Sequence, residues 1–315
     1  MRALLSLLFA TCTLVTPYLH AATFSFAAIG DVPYGPTEEL ASLVSRINRL
    51  PVAFTIHVGD IKSGGSLCSD DTYLTVRELF NRFDQPLVYT PGDNEWTDCH
   101  RKSCGAYDPL ERLEKIRSLF FANEDSLGKH RMRLDSQASN TRFSRYVENR
   151  RWSHSKITFA TLHLVGSNNN LQPELLSSSE FAARDDANIA WLRSTFAQAR
   201  ERRDVAVVLA MQADTFMAEA GPASGFTHWL AALRDEVTRW NRPVLLIQGD
   251  THVFRVDHPL MDTEGKPLTK LLRVVVPGER EPDPVLVEVD DTRAEPFRLR
   301  RLGSNEDLPV KEFRR

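Results

Sequence analysis

Residues 23–31 read TFSFAAIGD, a strand-length apolar run that ends directly in Gly-Asp. Amphipathic segments with helical spacing follow this run and recur along the chain, and the first of them places apolar residues at Leu40, Leu43, Val44, Ile47 and Leu50. Three further apolar runs end in the same way, at residues 53–60, 87–93 and 244–250. Strands that alternate with helices predict a layered α/β domain.

The rest of the chain predicts further elements of both kinds. The spacing of apolar residues indicates strands at 157–165 and 205–211, and helices at 110–120, 189–199 and 230–240. Three β-like runs near the C-terminus, 271–276, 285–289 and 297–302, are expected to complete a second sheet. No linker or repeat interrupts residues 23–302, so we expect one domain followed by a frayed polar tail at 303–315.

Composition and charge limit the partners that the chain can have. Its 315 residues are 42% hydrophobic, which is enough for a sizeable core. The formal net charge is −3 and both signs are spread along the sequence, so no basic patch for nucleic acid is evident and small-molecule or protein partners are favoured.

The N-terminal residues 1–22 have the pattern of a signal peptide. A positive charge at Arg2 precedes an apolar run at 3–15, and small residues follow near 21. This predicts an exported protein, periplasmic or secreted; an N-terminal membrane anchor is the alternative. No later segment has the roughly 20 apolar residues that a transmembrane helix needs.

Three cysteines remain after the leader, namely Cys68, Cys99 and Cys104. An oxidising compartment permits one bridge. A Cys68–Cys99 bridge is favoured because both residues lie just beyond Gly-Asp loops, and Cys99–Cys104 is the local alternative. The spacing does not match that of a cysteine zinc site.

The four Gly-Asp pairs carry the candidate chemistry, because ligands of α/β sheets bind at the carboxyl ends of the strands. Asp31, Asp60, Asp93 and Asp250 all follow predicted strands. Four buried carboxylates at one crevice would repel each other at a cost of several kcal/mol unless a cation or protons joined them. His252, two residues after Asp250, adds an imidazole, so the site suits one or two Mn, Fe, Mg or Zn ions.

The order of these motifs resembles that of the calcineurin-like metallophosphoesterases. The matching segments are Gly30-Asp31, Gly59-Asp60, Gly92-Asp93-Asn94-Glu95, Gln212 and Gly249-Asp250-Thr251-His252. The resemblance implies a layered β-sandwich flanked by helices. It also implies a first metal held by Asp31, Asp60 and His252 and a second held by Asp60, Asp93, Gln212 and Asp250, with Asp60 as the bridge.

Several residues depart from the family pattern. Tyr34 follows Asp31 where the family usually has a histidine ligand, Asp250 and Gln212 replace imidazoles, and Asn94 stands where a histidine protonates the leaving oxygen. An amide cannot give up a proton, so we expect Asn94 to act in catalysis only as a hydrogen-bond donor to substrate, beside Tyr34.

Two functions follow from these residues. The first is metal-dependent hydrolysis of a phosphomonoester or phosphodiester by an activated water. The second is a non-catalytic binding protein that keeps the fold but has lost the catalytic acid. Serine-hydrolase, zinc-protease and nucleotide-binding motifs are absent from the sequence.

Overall fold

The computed structural model describes residues 23–171, 178–217, 224–302, 304 and 306–311. The predicted signal peptide, 1–22, and part of the predicted tail lie outside these residues. Twelve strands are described: β1 (Thr23–Ile29), β2 (Thr55–His57), β3 (Leu87–Tyr89), β4 (Asp135–Ser136), β5 (Arg150–His154), β6 (Ile157–Thr161), β7 (Ala206–Ala210), β8 (Val244–Gln248), β9 (Arg255–Asp257), β10 (Leu271–Val275), β11 (Val285–Asp290) and β12 (Phe297–Arg301).

The helices connect these strands. They are α1 (Thr37–Ile47), α2 (Asp70–Phe80), α3 (Pro109–Phe120), the single turn α4 (Gly166–Asn169), α5 (Ser178–Arg202) and α6 (Thr227–Trp240). Short 3₁₀ turns lie at Thr97–His100, Lys102–Cys104, Gln137–Ser139, Thr141–Phe143 and Gly278–Arg280. Within the described part of the chain, no helix is both long and apolar enough to cross a membrane.

The strands form two sheets. The first has the order β12-β11-β1-β2-β3, and the second has the order β4-β5-β6-β7-β8-β10-β9. The central strands β1, β2 and β3 are parallel to each other, as are β6, β7, β8 and β10. Because parallel strands end on the same side of their sheet, the loops after them share one edge of the molecule.

The two sheets pack face to face and helices cover their outer faces. One buried cluster joins Phe26, Ile56 and Val88 of the first sheet to Phe159 and Val208 of the second, among other residues. A second cluster joins the first sheet to α1, α2 and α3, and a third joins the other sheet to α5 and α6. This α/β sandwich flanked by helices confirms the predicted fold class.

The C-terminal strands differ from the prediction. They were expected to complete a second sheet together, but β10 pairs with β8 in one sheet, whereas β11 and β12 extend the other beside β1. Strand β11 pairs antiparallel with β1 from Asp290 opposite Thr23 to Val285 opposite Ala28, so one of its faces joins the core between the sheets. An apolar run predicts a strand but carries no signal for its partner.

The part of the tail that the structure describes is attached to the sandwich. Leu308 donates a backbone hydrogen bond of 2.8 Å to Leu299, and Lys311 donates one of 2.7 Å to Val256. Leu308 also packs against the cluster between the sheets. These contacts hold Leu308 and Lys311 against the sandwich, and the boundary of the polar tail at 303–315 stays a prediction.

Candidate metal centre

The four predicted aspartates lie at one edge of the sandwich. Asp31, Asp60 and Asp93 follow β1, β2 and β3 and are buried, and Asp250 follows β8 and is half-buried. Three of the four have left-handed backbone conformations, with φ of 55° at Asp31, 57° at Asp60 and 74° at Asp250. Such conformations cost roughly 1–3 kcal/mol each and are concentrated at functional sites.

Two glycines let backbone approach the carboxylates closely. A Cβ atom at Gly249 would lie 2.6 Å from Oδ2 of Asp31. One at Gly166 would lie 2.6 Å from Oδ1 of Asp250 and 2.8 Å from Oδ2 of Asp93. A side chain at either position would push the carboxylates apart. Gly166 is the first residue of α4 and is buried against the site.

Asp31, Asp60 and His252 form a group with metal-ligand geometry. Each offers one ligand atom, and these atoms all lie within 4.8 Å of one another. Nε2 of His252 is 3.5 Å from Oδ1 of Asp31, which also accepts a hydrogen bond of 2.9 Å from the backbone of Asp250. Oδ2 of Asp31 is buried and has no hydrogen-bond partner among the described residues. The site thus offers an imidazole and two carboxylates, one of which has an unpaired buried oxygen, and this set of groups fits a divalent cation.

The electrostatics of the site favour added positive charge. Burial is the largest cause of a raised pKa at Asp250, and the negative charges of Asp93 and Asp31 add to it. Together they raise the pKa of Asp250 to about 7. Burial also raises the pKa of Asp31 and of Asp60 above the usual range of a carboxyl group. Clustered buried carboxylates of this kind either take up protons or bind a cation.

Gln212 lies two residues beyond β7 and is buried beside Asp60, Asp93 and Asp250. Its Oε1 accepts a hydrogen bond of 2.5 Å from the backbone of Gly166. Its Nε2 lies 3.3 Å from Asp60, 3.1 Å from Asp93 and 3.2 Å from Asp250, in each case measured to a carboxylate oxygen. The structure thus brings Gln212 into the site, as its motif position predicts, while its role as a metal ligand stays a prediction.

Tyr34 and Asn94 both contact Asp60. The Tyr34 hydroxyl donates to Oδ2 of Asp60 at 2.6 Å, and Nδ2 of Asn94 donates to the same oxygen at 2.8 Å and to the Tyr34 hydroxyl at 2.6 Å. Burial and the charge of Asp60 raise the pKa of Tyr34 far above its usual value, so its phenol stays protonated. Both side chains are therefore neutral hydrogen-bond donors beside Asp60, while their contacts to substrate stay a prediction.

Comparisons with known proteins agree with this architecture. No family model matches the chain, and no curated protein matches it either. Among solved structures, a dimetal phosphatase from Danio rerio superimposes with a TM-score of 0.56 and 15% identity, over 90% of this chain and 98% of its own. A purple acid phosphatase from yellow lupin (Lupinus luteus) seeds gives 0.50 and 10%, over 93% and 54%. PhoD gives 0.50 and 13%, over 92% and 73%.

This chain has the calcineurin-like metallophosphoesterase fold. The resemblance that the Gly-Asp motifs indicate is therefore confirmed at the level of the fold. At identities of 15% or less the similarity extends no further than the architecture, so the chemistry has to be argued from the side chains of this chain.

Several residues that the sequence analysis missed complete the candidate site. Oγ of Ser167 lies 2.7 Å from a carboxylate oxygen of Asp93 and 3.0 Å from one of Asp98, and its one hydrogen can be donated to either. Lys62 donates to the backbone oxygen of Asn94 at 2.7 Å, and Arg101 pairs with Asp98 at 2.7 Å. The only signal for Lys62 was its place two residues after Asp60, and for Ser167 its place after a predicted strand.

A disulfide joins two of the loops that carry site residues. Cys68 and Cys99 are bonded, with Cα atoms 5.8 Å apart, and Cys104 is a buried free cysteine. The pairing that the sequence favours is thus the one in the structure. Both sulfur atoms lie close to the backbone oxygen of Asn94, at 3.7 and 3.8 Å, so the bridge supports the loop that presents Asn94.

Removing this bridge is expected to destabilise the protein. The bonded cysteines are 31 residues apart in sequence, and closing a loop of that length restricts the unfolded chain by roughly 3–4 kcal/mol. Urea denaturation of the double variant Cys68→Ser/Cys99→Ser should show a loss of that size. Wild-type protein denatured with reductant serves as the control and should match the variant. Equal stability of oxidised wild type and variant would refute the prediction.

Proposed function

We propose that the protein is an exported, metal-dependent phosphoesterase that hydrolyses a phosphomonoester or phosphodiester with an activated water. The observation that supports this most strongly is the convergence of Asp31, Asp60 and His252 around an unpaired buried carboxylate oxygen at the strand ends of a metallophosphoesterase fold. Two of the similar solved structures are phosphatases by name, one of them a dimetal phosphatase. The disulfide and the N-terminal apolar run support export.

A divalent cation at this position would supply Lewis acidity and would lower the pKa of a water molecule that it binds. Asp31, Asp60 and His252 would hold it. The residues around it then position the substrate. Asn94 Nδ2 and the neutral Tyr34 hydroxyl donate to Asp60 at the edge of the ion site. When an ion neutralises Asp60, these groups would exchange that hydrogen bond for one to a phosphoryl oxygen.

The rim of the site also contains positive charge and open space. Lys62 is buried beside the Asn94 loop and the partly exposed Arg101 pairs with Asp98, so both reduce the negative charge that an anionic substrate meets. A groove of about 350 Å³ adjoins Tyr34 and Lys62, with Ile61, Thr72 and Val76 on its walls. Its mixed polar and apolar lining can accept the group that departs from the phosphorus.

Asn94 has a consequence for substrate preference. An amide cannot protonate a departing alkoxide, so leaving groups of low basicity are favoured. We therefore expect nitrophenyl esters to be hydrolysed much faster than alkyl esters of phosphate.

The test is hydrolysis of nitrophenyl phosphate and bis(nitrophenyl) phosphate by purified protein after chelation and re-addition of Mn, Fe, Mg or Zn. Metal-restored hydrolysis of either ester supports the proposal. No hydrolysis with any of the four metals overturns it. Retained metal binding without hydrolysis would favour the second candidate, a non-catalytic binding protein, which the absence of an acid at Asn94 supports.

A further inference from the structure

A single amide nitrogen lies among carboxylates from three different strand ends. Nε2 of the fully buried Gln212 is between 3.1 and 3.3 Å from an oxygen of each of Asp60, Asp93 and Asp250. These are the residues that the resemblance assigns to a second metal ion. In the structure they surround a hydrogen-bond donor.

The orientation of this amide is determined by its other end. The backbone N–H of Gly166 can only donate, and it lies 2.5 Å from Oε1 of Gln212. Rotating the amide by 180° would place its N–H group against the buried N–H of Gly166. The hydrogen bond between Gly166 and Oε1 would be lost as well. Only the nitrogen, whose lone pair is delocalised and which is not a metal ligand, therefore faces the carboxylates.

The remaining oxygens of these aspartates also have donors. Ser167 donates to Oδ2 of Asp93 at 2.7 Å, and the backbone of Asp214 donates to Oδ2 of Asp250 at 3.4 Å. The backbone of Asn94 donates to Oδ1 of Asp60 at 3.2 Å. Both carboxylate oxygens of Asp93 and both of Asp250 thus accept a hydrogen bond. Oδ2 of Asp31 has no such partner among the described residues.

We propose that the Gln212 amide takes the place of a second divalent cation, so that the protein binds one ion, at Asp31, Asp60 and His252. The inference rests on the proposed function for that ion site and replaces the ligand role that the sequence predicts for Gln212. Asp93 and Asp250 then hold Gln212, Ser167 and the Asp60 loop in place and do not ligate metal.

The number of bound ions tests this directly. Chelated wild-type protein is titrated with Mn²⁺ in a calorimeter, and the bound metal is counted and examined by electron paramagnetic resonance. We expect one Mn²⁺ per chain with the spectrum of an isolated ion. Two ions per chain, or the spectrum of a spin-coupled pair, would overturn the inference. A complete absence of Mn²⁺ binding would overturn the inference as well.

Matched variants at two aspartates make the result specific. Asp250→Asn should still bind one ion, since Asp250 is not a ligand, whereas Asp31→Asn should weaken binding at least ~100-fold, since it loses an inner ligand. A loss of Mn²⁺ binding in Asp250→Asn similar to that in Asp31→Asn would contradict the assignment.

These outcomes separate the inference from the proposed function. If one ion binds but no ester is hydrolysed, the single-ion inference stands and the proposed phosphoesterase function is refuted. If two ions bind and an ester is hydrolysed, the single-ion inference is refuted and the phosphoesterase function is supported.

Discussion

Asp60→Asn is expected to lower both the affinity for Mn²⁺ and the rate of nitrophenyl phosphate hydrolysis at least ~100-fold. Asp60 belongs to the group that can hold the ion, and its carboxylate also accepts hydrogen bonds from Tyr34 and Asn94. The amide of asparagine is nearly the same size but removes the negative charge and places an N–H group among donors. Substrate positioning and ion binding should therefore fail together.

The matched control for this substitution is Asp84→Asn. Asp84 is a partly exposed aspartate that pairs with Lys129, so its loss should leave Mn²⁺ affinity and hydrolysis close to wild type. Isothermal titration and steady-state assays measure both quantities. An Asp60→Asn variant that retained wild-type hydrolysis would rule out the proposed site.

Arg273→Leu is expected to destabilise the fold by about 3–5 kcal/mol. Arg273 lies on β10 and is fully buried, where it forms two hydrogen bonds to Asp257, at 2.8 and 2.7 Å, and one to Asp214 at 2.6 Å. Leucine would leave both aspartates buried without this positive partner. Since the backbone of Asp214 contacts Asp250, the metal site should loosen as well.

Urea denaturation measures this loss, and Arg298→Leu is the control. Arg298 is partly exposed and lies 3.8 Å from Asp307, a type of pair that contributes roughly 0–1 kcal/mol. If Arg273→Leu unfolded at the same urea concentration as Arg298→Leu, the buried ion pairs would not have the expected stabilising effect.

The sequence was sufficient to predict the strands that carry the site, because apolar runs ending in Gly-Asp indicate both a strand and the position of its carboxyl end. It also predicted helix α3 and the outer helices from their apolar spacing. Helix α2 was missed, although Tyr73, Val76 and Phe80 form a buried helical face. Strand β5 and the edge strand β9 were missed too, because short runs rich in charge look like loops.

Contacts between segments that are distant in the chain could not be predicted from the sequence. The orientation of Gln212 depends on the backbone of Gly166, 46 residues away. His163 contacts the buried carboxylate of Glu148, 15 residues away, and Glu148 also pairs with Arg117. Such partners are brought together only by the folded chain. A local pattern therefore predicted which residues lie in the site but not what each side chain contacts there.

The most direct test of the ion site is anomalous diffraction from crystals of the protein grown with Mn²⁺. We expect one strong anomalous peak within bonding distance of Asp31, Asp60 and His252. Crystals that diffract well but show no peak between these three side chains would contradict the central conclusion that they bind a divalent cation.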